Sequence, residues 1–366
     1  MTDLENTVQK IDAELKKIDD KDFKVMFFVF DSKGKPNGSL EYIYETAYTL
    51  NEMGYNVHMM YSGEEFTGVE SWLGEKYASL KHFNLSDNIN VSPSDVLFIP
   101  EVYVDAMSKT KELPCHRVVI IQNFSYLTDN MPYGVDFSDL RIFDCVVNSK
   151  SMGDRVKKCF PYMNVRIVPP CLGEVFTKEK SEKPKDLVIN VVGKDTVTIS
   201  SIVKQFMWKF PNYKWVPFRN VSDIPRDELK DELAKGFATL WCDQFTDFGY
   251  LALEAMACNS VVVGKFPESE PDWLSNENGF RDNGLWFFKD GDAQDALAGL
   301  VNSFMTESIP DEIYANMEET VSEYTRDKMV DNIKKCYVDG IFSERKAVLE
   351  TAKNNILNKA KTENKE

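Results

Sequence analysis

The stretch Asp247-Phe-Gly-Tyr-Leu-Ala-Leu-Glu-Ala-Met-Ala-Cys258, followed by Val261-Val-Val-Gly264, carries the clearest structural pattern in this chain. It predicts a short helix and then a buried strand, and it places one carboxylate, Glu254, among apolar neighbours. An ionised Glu in such surroundings is costly unless something pairs with it. The helix begins at Gly249, where backbone N–H groups and the helix dipole favour an anion. This combination suits a ligand whose hydroxyls lie next to a phosphate, as in a nucleotide-sugar.

Composition limits the classes of protein that the chain can represent. Its 366 residues predict two domains of roughly 150 to 200 residues. The net charge of −16 argues against non-specific coating of nucleic acid or of an anionic membrane. Seven cysteines without a Cys-x-x-Cys pair, and only three histidines, predict a reducing compartment and no metal site. With no apolar run of about 20 residues and no signal-peptide pattern at the start, we expect a cytoplasmic protein.

A β–loop–α–β unit opens the first half of the chain. Its elements are strand Lys24–Phe30, the turn-rich loop Asp31–Gly38, helix Ser39–Met53 and strand Asn56–Tyr61. Such units build doubly wound sheets. Further short apolar strands are predicted at residues 95–100, 117–122, 145–148 and 165–168.

A second α/β set follows a highly charged break. Its predicted elements are strand Leu187–Val192, helix Ile199–Phe210, strand Tyr213–Pro217, helix Arg226–Lys235 and strand Ala238–Trp241. We therefore predict an α/β fold with two Rossmann-like doubly wound domains that face each other across a cleft. The predicted ranges are an N-terminal amphipathic helix (1–20), a first Rossmann-like domain (21–176), a linker (177–185), a second Rossmann-like domain (186–340), and a C-terminal helix and tail (341–366).

The predicted N-terminal helix carries one apolar stripe, with residues spaced four and three apart. The stripe consists of Leu4, Val8, Ile11, Leu15 and Ile18. Two interpretations remain open: the helix packs on the body of the protein, or it binds a partner helix.

Two stretches resemble the retaining GT-B glycosyltransferases of family 4 and their rhamnosyltransferase-like relatives. Residues 37–57 resemble the family's Gly-Gly loop, its helix and the Gly-His-x-Val entry to the second strand, with Ser39 and Tyr55 at altered positions. Residues 247–258 resemble the Glu-x7-Glu signature, and the Val-Val-Val-Gly strand follows as in the family. The resemblance implies a GT-B fold in which the first domain binds the acceptor and the second binds a nucleotide-sugar.

The same resemblance implies roles for residues of the second domain. Glu254 would hold the ribose hydroxyls, and Lys194 would replace the family Arg that neutralises the pyrophosphate. Both are therefore candidate catalytic residues. Arg219 lies in a loop (218–221) where relatives contact the base. The donor-loop backbone would face the sugar and phosphates at Phe248, Gly249 and Tyr250.

The second domain also departs from the family pattern. The first Glu of the signature falls on Thr246, which we place in the donor site without the usual carboxylate. Either Asp243 or Asp247 substitutes for it, or the sugar lacks the hydroxyl that this Glu contacts. The family's Lys has no counterpart, since Thr198 or a neighbour occupies its position.

Three residues of the first domain are further candidates. Gly38 would allow the backbone to approach the donor phosphates closely. Gln122 and Asn123 follow a strong strand and would contact the acceptor or the sugar. Ordinary alternatives stay open: Gly38 in a simple turn, Lys194 as a solvated side chain, and Glu254 paired with a neighbouring Arg or Lys.

We thus predict a metal-independent glycosyltransferase without a cofactor, whose donor is a UDP-, GDP- or dTDP-linked sugar. The family resemblance implies that it retains the anomeric configuration. The acceptor is either an envelope saccharide or lipid-linked glycan, or a hydroxymethylated DNA base as in phage enzymes. In the phage case the protein would act in the host cytoplasm. The alternative is a catalytically silent GT-B scaffold that serves as a nucleotide-binding or partner subunit.

Overall fold

Two sheets of parallel strands form the framework of the protein. The computed structural model describes residues 3–63, 65–87, 89–177, 186–222, 224–243, 246–276 and 279–363. The segment 177–185, predicted as a linker, lies outside the described residues except for Thr177, which ends a short helix. Parallel sheets are covered on both faces, which explains why their central strands are continuous apolar runs.

The first sheet has seven strands in the order β3-β2-β1-β4-β5-β6-β7. Their bounds are β1 (Lys24–Phe28), β2 (Asn56–Tyr61), β3 (Lys81–Asn84), β4 (Val96–Pro100), β5 (His116–Ile121), β6 (Asp144–Val147) and β7 (Asn164–Ile167). Strand order reverses between β1 and β4, and in doubly wound folds ligands bind at the carboxyl ends of the strands at such a point.

The second sheet has five parallel strands in the order β14-β11-β10-β8-β9. Their bounds are β8 (Asp186–Val192), β9 (Phe218–Asn220), β10 (Gly236–Trp241), β11 (Val261–Lys265) and β14 (Leu285–Phe287), and a separate antiparallel pair consists of β12 (Ser275–Asn276) and β13 (Gly279–Phe280). Here the strand order reverses between β8 and β10. The two doubly wound α/β sheets confirm the predicted fold class.

Helices follow most strands and cover the sheets. Their bounds are α1 (Asp3–Asp19), α2 (Gly38–Glu52), α3 (Glu70–Leu73), α4 (Val104–Lys109), α5 (Phe124–Asn130), α6 (Lys150–Cys159), α7 (Glu174–Thr177), α8 (Thr196–Lys209), α9 (Arg226–Lys235), α10 (Tyr250–Ala257), α11 (Asp290–Met305), α12 (Asp311–Ser322), α13 (Arg326–Ile333) and α14 (Ser343–Glu363). Short 3₁₀ turns occupy Glu75–Ser79 and Pro211–Tyr213, and Lys334–Phe342 is π-helical. Within the described ranges, no helix combines the length and the apolar character needed to cross a bilayer.

The strand predicted at Tyr213–Pro217 is wrong. The structure has a 3₁₀ turn at Pro211–Tyr213, and the strand is β9, at Phe218–Asn220. The Phe218 ring packs against Phe206 of α8 at 5.4 Å between centroids, so the apolar residue after Pro217 marks where pairing with β8 begins. The stretch 218–221, predicted as a loop, is therefore mostly strand.

The chain divides into two compact units built from separated segments. The first comprises Met1–Val147, Arg155–Val168 and Val330–Glu366, and the second comprises Asn148–Asp154 and Pro169–Met329. This division differs from the continuous ranges predicted from the sequence. The C-terminal segment belongs to the first unit because its aromatic side chains pack there: Tyr337 lies 5.0 Å from Phe98 and Phe342 lies 5.1 Å from Phe23, between ring centroids.

The N-terminal helix α1 packs against α14 in the first unit. Lys346 contacts Asp19 and Lys353 contacts Asp12, both at 2.5 Å, and this register makes the two helices antiparallel. Exposed ion pairs of this kind add little stability, so most of the attachment comes from the partly buried residues of the stripe, which are Val8, Ile11, Leu15 and Ile18, while Leu4 is exposed. This is the packed-helix interpretation of the stripe.

Lowering the pH from 7 to 5 is expected to destabilise the protein by roughly 1–2 kcal/mol through His58 alone. Burial, with Lys81 and Lys24 nearby, lowers the pKa of His58 to about 4. Between this value and the ordinary value near 6.5 the unfolded chain binds the proton and the folded chain does not, so stability falls with the pH. Urea denaturation at both pH values measures the loss. In His58→Gln the loss should shrink, whereas an unchanged loss would exclude His58 as its source.

Candidate functional site

The loop after β8 is fixed against the end of β10 at the point where the second sheet reverses its strand order. Gly193 has a φ of +127°, and a Cβ built on it would lie 2.1 Å from the carbonyl oxygen of Cys242. The N–H of Asp195 donates to that same carbonyl at 3.3 Å. The Asp195 carboxylate accepts the N–H of Thr198 at 3.0 Å and thereby caps α8. The exposed Lys194 is thus held on a rigid loop at the carboxyl edge of the sheet.

Two lysines and several carboxylates share this edge. Burial raises the pKa of Asp243, which follows β10, and nearby Lys194 offsets part of the rise. Lys265, the last residue of β11, forms an ion pair with Asp290 at 3.0 Å, and its side chain is 16% exposed. Sequence reasoning missed Lys265, although a lone Lys directly after Val-Val-Val-Gly was a visible signal. The edge therefore carries a second cation besides Lys194.

The donor loop predicted from the motif is shaped by the side chain of Thr246. Its hydroxyl accepts the N–H of Gly249 at 3.0 Å, and its carbonyl accepts the hydroxyl of Ser269. Gly249 has a left-handed φ of +79° directly before α10. The Thr at the position of the family's first Glu therefore serves as a local cap for the turn that starts the helix.

A cluster of three tryptophans lies beneath this loop. Trp273 donates its indole N–H to the carbonyl of Phe248, and its ring lies 5.9 Å from Trp241 and 5.5 Å from Trp286. A Cβ on Gly249 would come within 3.0 Å of Trp273 and 3.1 Å of Trp241. The loop can follow this aromatic surface so closely because Gly249 has no side chain.

Removing the Thr246 hydroxyl is expected to loosen the donor loop. Thr246→Val keeps the volume but leaves the Gly249 N–H without its acceptor, which should cost about 1–2 kcal/mol of stability. Thr246→Ser keeps the acceptor and is the matched control. Urea denaturation of both variants measures the difference, and equal stabilities would show that the Thr246–Gly249 bond does not hold the loop.

Glu254 lies wholly buried in α10 and forms an ion pair with Arg226. The Arg226 Nη1 lies 2.6 Å from Glu254 Oε1, and the two side chains are 12% and 0% exposed. This is the ion-pair alternative that the sequence left open, with the partner now identified at the start of α9. An ionised carboxylate is an acceptor-only group with about four acceptor sites, and binding of ribose hydroxyls by Glu254 stays a prediction. No local pattern in the sequence pointed to Arg226.

The remaining motif residues surround the same loop. The Phe248 ring packs edge-on against Tyr250 at 4.8 Å and against Tyr324 at 5.3 Å. Asp247 is 5% exposed. Thr246, Asp247, Phe248 and Gly249 form the turn that precedes α10, and Tyr250 is the first residue of that helix.

Arg219 has an internal role that the sequence did not predict. It lies on β9, where its guanidinium contacts Asn190 Oδ1 at 3.2 Å and forms an ion pair with Glu232 at 2.5 Å. Asn190 is wholly buried and also donates to the carbonyl of Glu232 at 3.2 Å. Arg219 therefore ties β9 to β8 and α9, and contact with a base stays a prediction.

The first unit gathers the other candidates at the carboxyl edge of its own sheet. Glu101, directly after β4, is 3% exposed and accepts the N–H groups of Gln122 at 3.2 Å and Asn123 at 2.9 Å. The Gln122 amide donates to the carbonyl of Ser39 at 3.2 Å, and Asn123 caps α5 by accepting the N–H of Tyr126 at 3.1 Å. Sequence reasoning missed Glu101, although an acidic residue directly after a buried strand is a recognisable signal.

Gly38 is the first residue of α2. Asn37 caps the helix by accepting the N–H of Leu40 at 3.1 Å. Asn37 is thus the N-cap, and Gly38 lies in the first turn of the helix. A phosphate contact at Gly38 stays a prediction.

Comparison with solved structures finds proteins of the same fold. A TarM mutant from S. aureus, in complex with Fondaparinux, alpha-GlcNAc-glycerol and UDP, has a TM-score of 0.62 at 9% identity, over 85% of this chain and 98% of that chain. The pneumococcal O-GlcNAc transferase GtfA, in complex with UDP and GlcNAc, has a TM-score of 0.60 at 8% identity, over 88% and 99%. An alpha-glucosyltransferase in complex with UDP and a 13-mer DNA containing a HMU base has a TM-score of 0.53 at 13% identity, over 85% and 99%.

These likenesses define the fold class. At such low identities they show the fold alone, which is the two-domain Rossmann-like fold of GT-B glycosyltransferases. No protein-family model and no curated protein sequence matches this chain.

Proposed function

We propose that the protein is a glycosyltransferase that moves a sugar from a nucleotide-diphosphate sugar to an acceptor, with retention and without a metal ion. The observation that supports this proposal is the set of basic residues and the donor motif at the carboxyl edge of the second sheet. At the switch point the loop after β8 presents Lys194 and the turn before α10 contains the donor motif. The neighbouring strand β11 ends at Lys265, which is paired with Asp290. A doubly wound sheet binds its ligand at this position.

The proposed chemistry depends on stabilising the leaving group. The bond between the anomeric carbon and the diphosphate oxygen breaks, and the electron pair leaves with the nucleoside diphosphate. Lys194, Lys265 and the N-terminal N–H groups of α10 would neutralise this charge, which lowers the barrier without a strong base. Glu254, oriented by Arg226, would accept hydrogen bonds from the ribose hydroxyls.

Two acceptor classes remain part of the proposal. One is an envelope saccharide or lipid-linked glycan, and the other is a hydroxymethylated base in DNA. One of the similar structures is a complex with UDP and GlcNAc, and another is a complex with UDP and a DNA that contains a HMU base. The shared fold is therefore compatible with either class of acceptor. We propose that the acceptor binds at the carboxyl edge of the first sheet, beside Gln122 and Asn123. The carboxylate of Glu101 accepts the backbone N–H groups of both residues.

The second candidate function is a catalytically silent scaffold that binds nucleotides or a partner. It is favoured by Thr246, whose hydroxyl is used within the loop, and by Glu254, which is wholly buried against Arg226. In both cases the polar side chain bonds to another part of the protein, as expected for residues with a structural role.

Turnover of a panel of UDP-, GDP- and dTDP-sugars in the presence of a chelator separates the two candidates. The measurement is the release of nucleoside diphosphate with a glycan or a hydroxymethylated DNA acceptor. We expect release with one donor, and a loss of about 100-fold in Lys194→Ala, because one charge contact to the leaving group is removed. Lys158→Ala, an exposed lysine of the first unit, is the control. Nucleotide binding without release from any donor would favour the scaffold.

A further inference from the structure

One segment of the second unit has a charge pattern opposite to that of the whole chain. The protein contains 59 acidic and 43 basic residues, yet residues 196–222 contain no Asp or Glu. The basic residues of this segment are Lys204, Lys209, Lys214 and Arg219. No carboxylate of this segment would therefore repel an anionic partner.

The same segment exposes two tryptophans. Trp208, in the last turn of α8, is 73% exposed, and Trp215, after the 3₁₀ turn, is 60% exposed. The other four tryptophans of the chain, Trp72, Trp241, Trp273 and Trp286, are buried or partly buried. Single exposed rings are common at protein surfaces, but two largely exposed indoles within eight residues are a concentration that is typical of a surface that contacts something else.

The exposed side of α8 forms one continuous face. Val197, Lys204 and Trp208 are spaced seven and four residues apart, which places them on one side of the helix, and Val197 is 80% exposed. The opposite face packs into the core through Ile202 and Phe206, so α8 cannot rotate to bury its outer face. The outer face is therefore a fixed, amphipathic surface.

Trp215 is held in its exposed position by local contacts. Its indole N–H donates to the carbonyl of Asn212 at 2.7 Å, so the polar atom is satisfied within the loop. The adjacent Tyr213 ring stacks on Phe206 at 6.3 Å, which attaches the loop to α8. The loop is therefore ordered and presents the ring of Trp215 outward.

Two of the four basic residues are available to a partner. Lys209 is paired with Asp295 at 2.7 Å, and Arg219 is paired with Glu232 at 2.5 Å. Lys204 and Lys214 are both exposed, and neither forms an ion pair within the part of the chain that the structure describes. Two available cations beside two indoles make a surface that is more apolar than charged.

We infer that Val197, Lys204, Trp208, Lys214 and Trp215 form a docking surface for an anionic lipid bilayer. Indole rings favour the boundary between headgroups and acyl chains, and lysines beside them contact anionic headgroups with their stems along the apolar surface. A nucleic acid is the weaker fit, because its affinity grows with the number of phosphates neutralised and only two cations are available. This inference does not depend on the proposed transferase activity.

Vesicle binding by the full chain tests the inference. Vesicles of phosphatidylglycerol and phosphatidylcholine in equal amounts are compared with phosphatidylcholine alone, by sedimentation and by the blue shift of tryptophan fluorescence. We expect binding to the anionic vesicles that weakens with salt. The double variant Lys204→Glu/Lys214→Glu should bind the anionic vesicles at least about 20-fold more weakly than the wild type, because each lysine near an anionic surface contributes about fivefold to the affinity. Trp208→Ser/Trp215→Ser should lose both sedimentation and the blue shift.

The control is Tyr133→Ser/Lys158→Glu, which removes one exposed aromatic ring and one exposed lysine from the first unit. It should bind like the wild type, and circular dichroism of each variant verifies folding. No binding to anionic vesicles, equal binding to neutral ones, or an equal loss in the control would overturn the inference. Loss of DNA binding or of self-association in the variants, with vesicle binding intact, would also overturn it.

Discussion

Glu254→Ala is expected to weaken nucleotide-sugar binding strongly and to cost about 3–5 kcal/mol of stability, because it removes the carboxylate that pairs with the buried Arg226 charge. The Arg226 side chain is only 12% exposed and lies 2.6 Å from the carboxylate. Charge-assisted hydrogen bonds to two ribose hydroxyls would contribute about 3 kcal/mol or more, so the affinity should fall by at least about 100-fold. Calorimetric titration with the nucleoside diphosphate measures the affinity, and urea denaturation measures the stability.

A double variant separates these two roles of Glu254. Glu254→Leu/Arg226→Met replaces the buried ion pair with apolar side chains of similar size, which often restores stability to within about 1–2 kcal/mol. We expect this variant to fold and still to bind no nucleotide. If it binds with the affinity of the wild type, Glu254 is purely structural and its assignment to the ribose is wrong.

Gly193→Ala is expected to destabilise the second unit by about 3 kcal/mol or more. The φ of +127° is unfavourable for any residue with a side chain, and the new methyl group would lie 2.1 Å from the backbone carbonyl of Cys242. A backbone atom cannot rotate away as a side chain can, so the loop after β8 must separate from β10. Lys194 would move with it, and transfer activity should fall as well.

Gly134→Ala is the matched control for backbone strain. Gly134 also has a positive φ, +77°, but nothing lies within 4 Å of the position of its Cβ. Its substitution should cost only about 1 kcal/mol, from the left-handed conformation itself. Urea denaturation of both variants isolates the contribution of the close contact. Equal costs would show that the β8 loop tolerates a side chain at Gly193.

The parts of the fold that were predictable are those with a strong local pattern. Strand Asn56–Tyr61 was predicted with the bounds that the structure has, and the helix around Glu254 follows from its uninterrupted apolar residues. Buried parallel strands and amphipathic helices carry their periodicity in neighbouring residues, so a window of the sequence is enough to identify them.

The parts that could not be predicted depend on residues far apart in the chain. Arg226 reaches Glu254 across 28 positions, and Glu101 holds a backbone turn about 20 positions away. The error at Tyr213–Pro217 has a similar origin: its apolar residues suggest a strand, but the contact of Phe218 with Phe206 places the strand later. Such pairings are set by the assembled fold and leave no periodic signal.

Hydrogen exchange with and without a nucleoside diphosphate tests the central claim most directly, since it reports where the ligand binds. We expect backbone protection at the loop after β8, residues 193–198, and at the start of α10, residues 246–254, because both present N–H groups at the switch point of the second sheet. Protection confined to other segments, with both of these unchanged by a bound nucleotide, would contradict the assignment of the donor site.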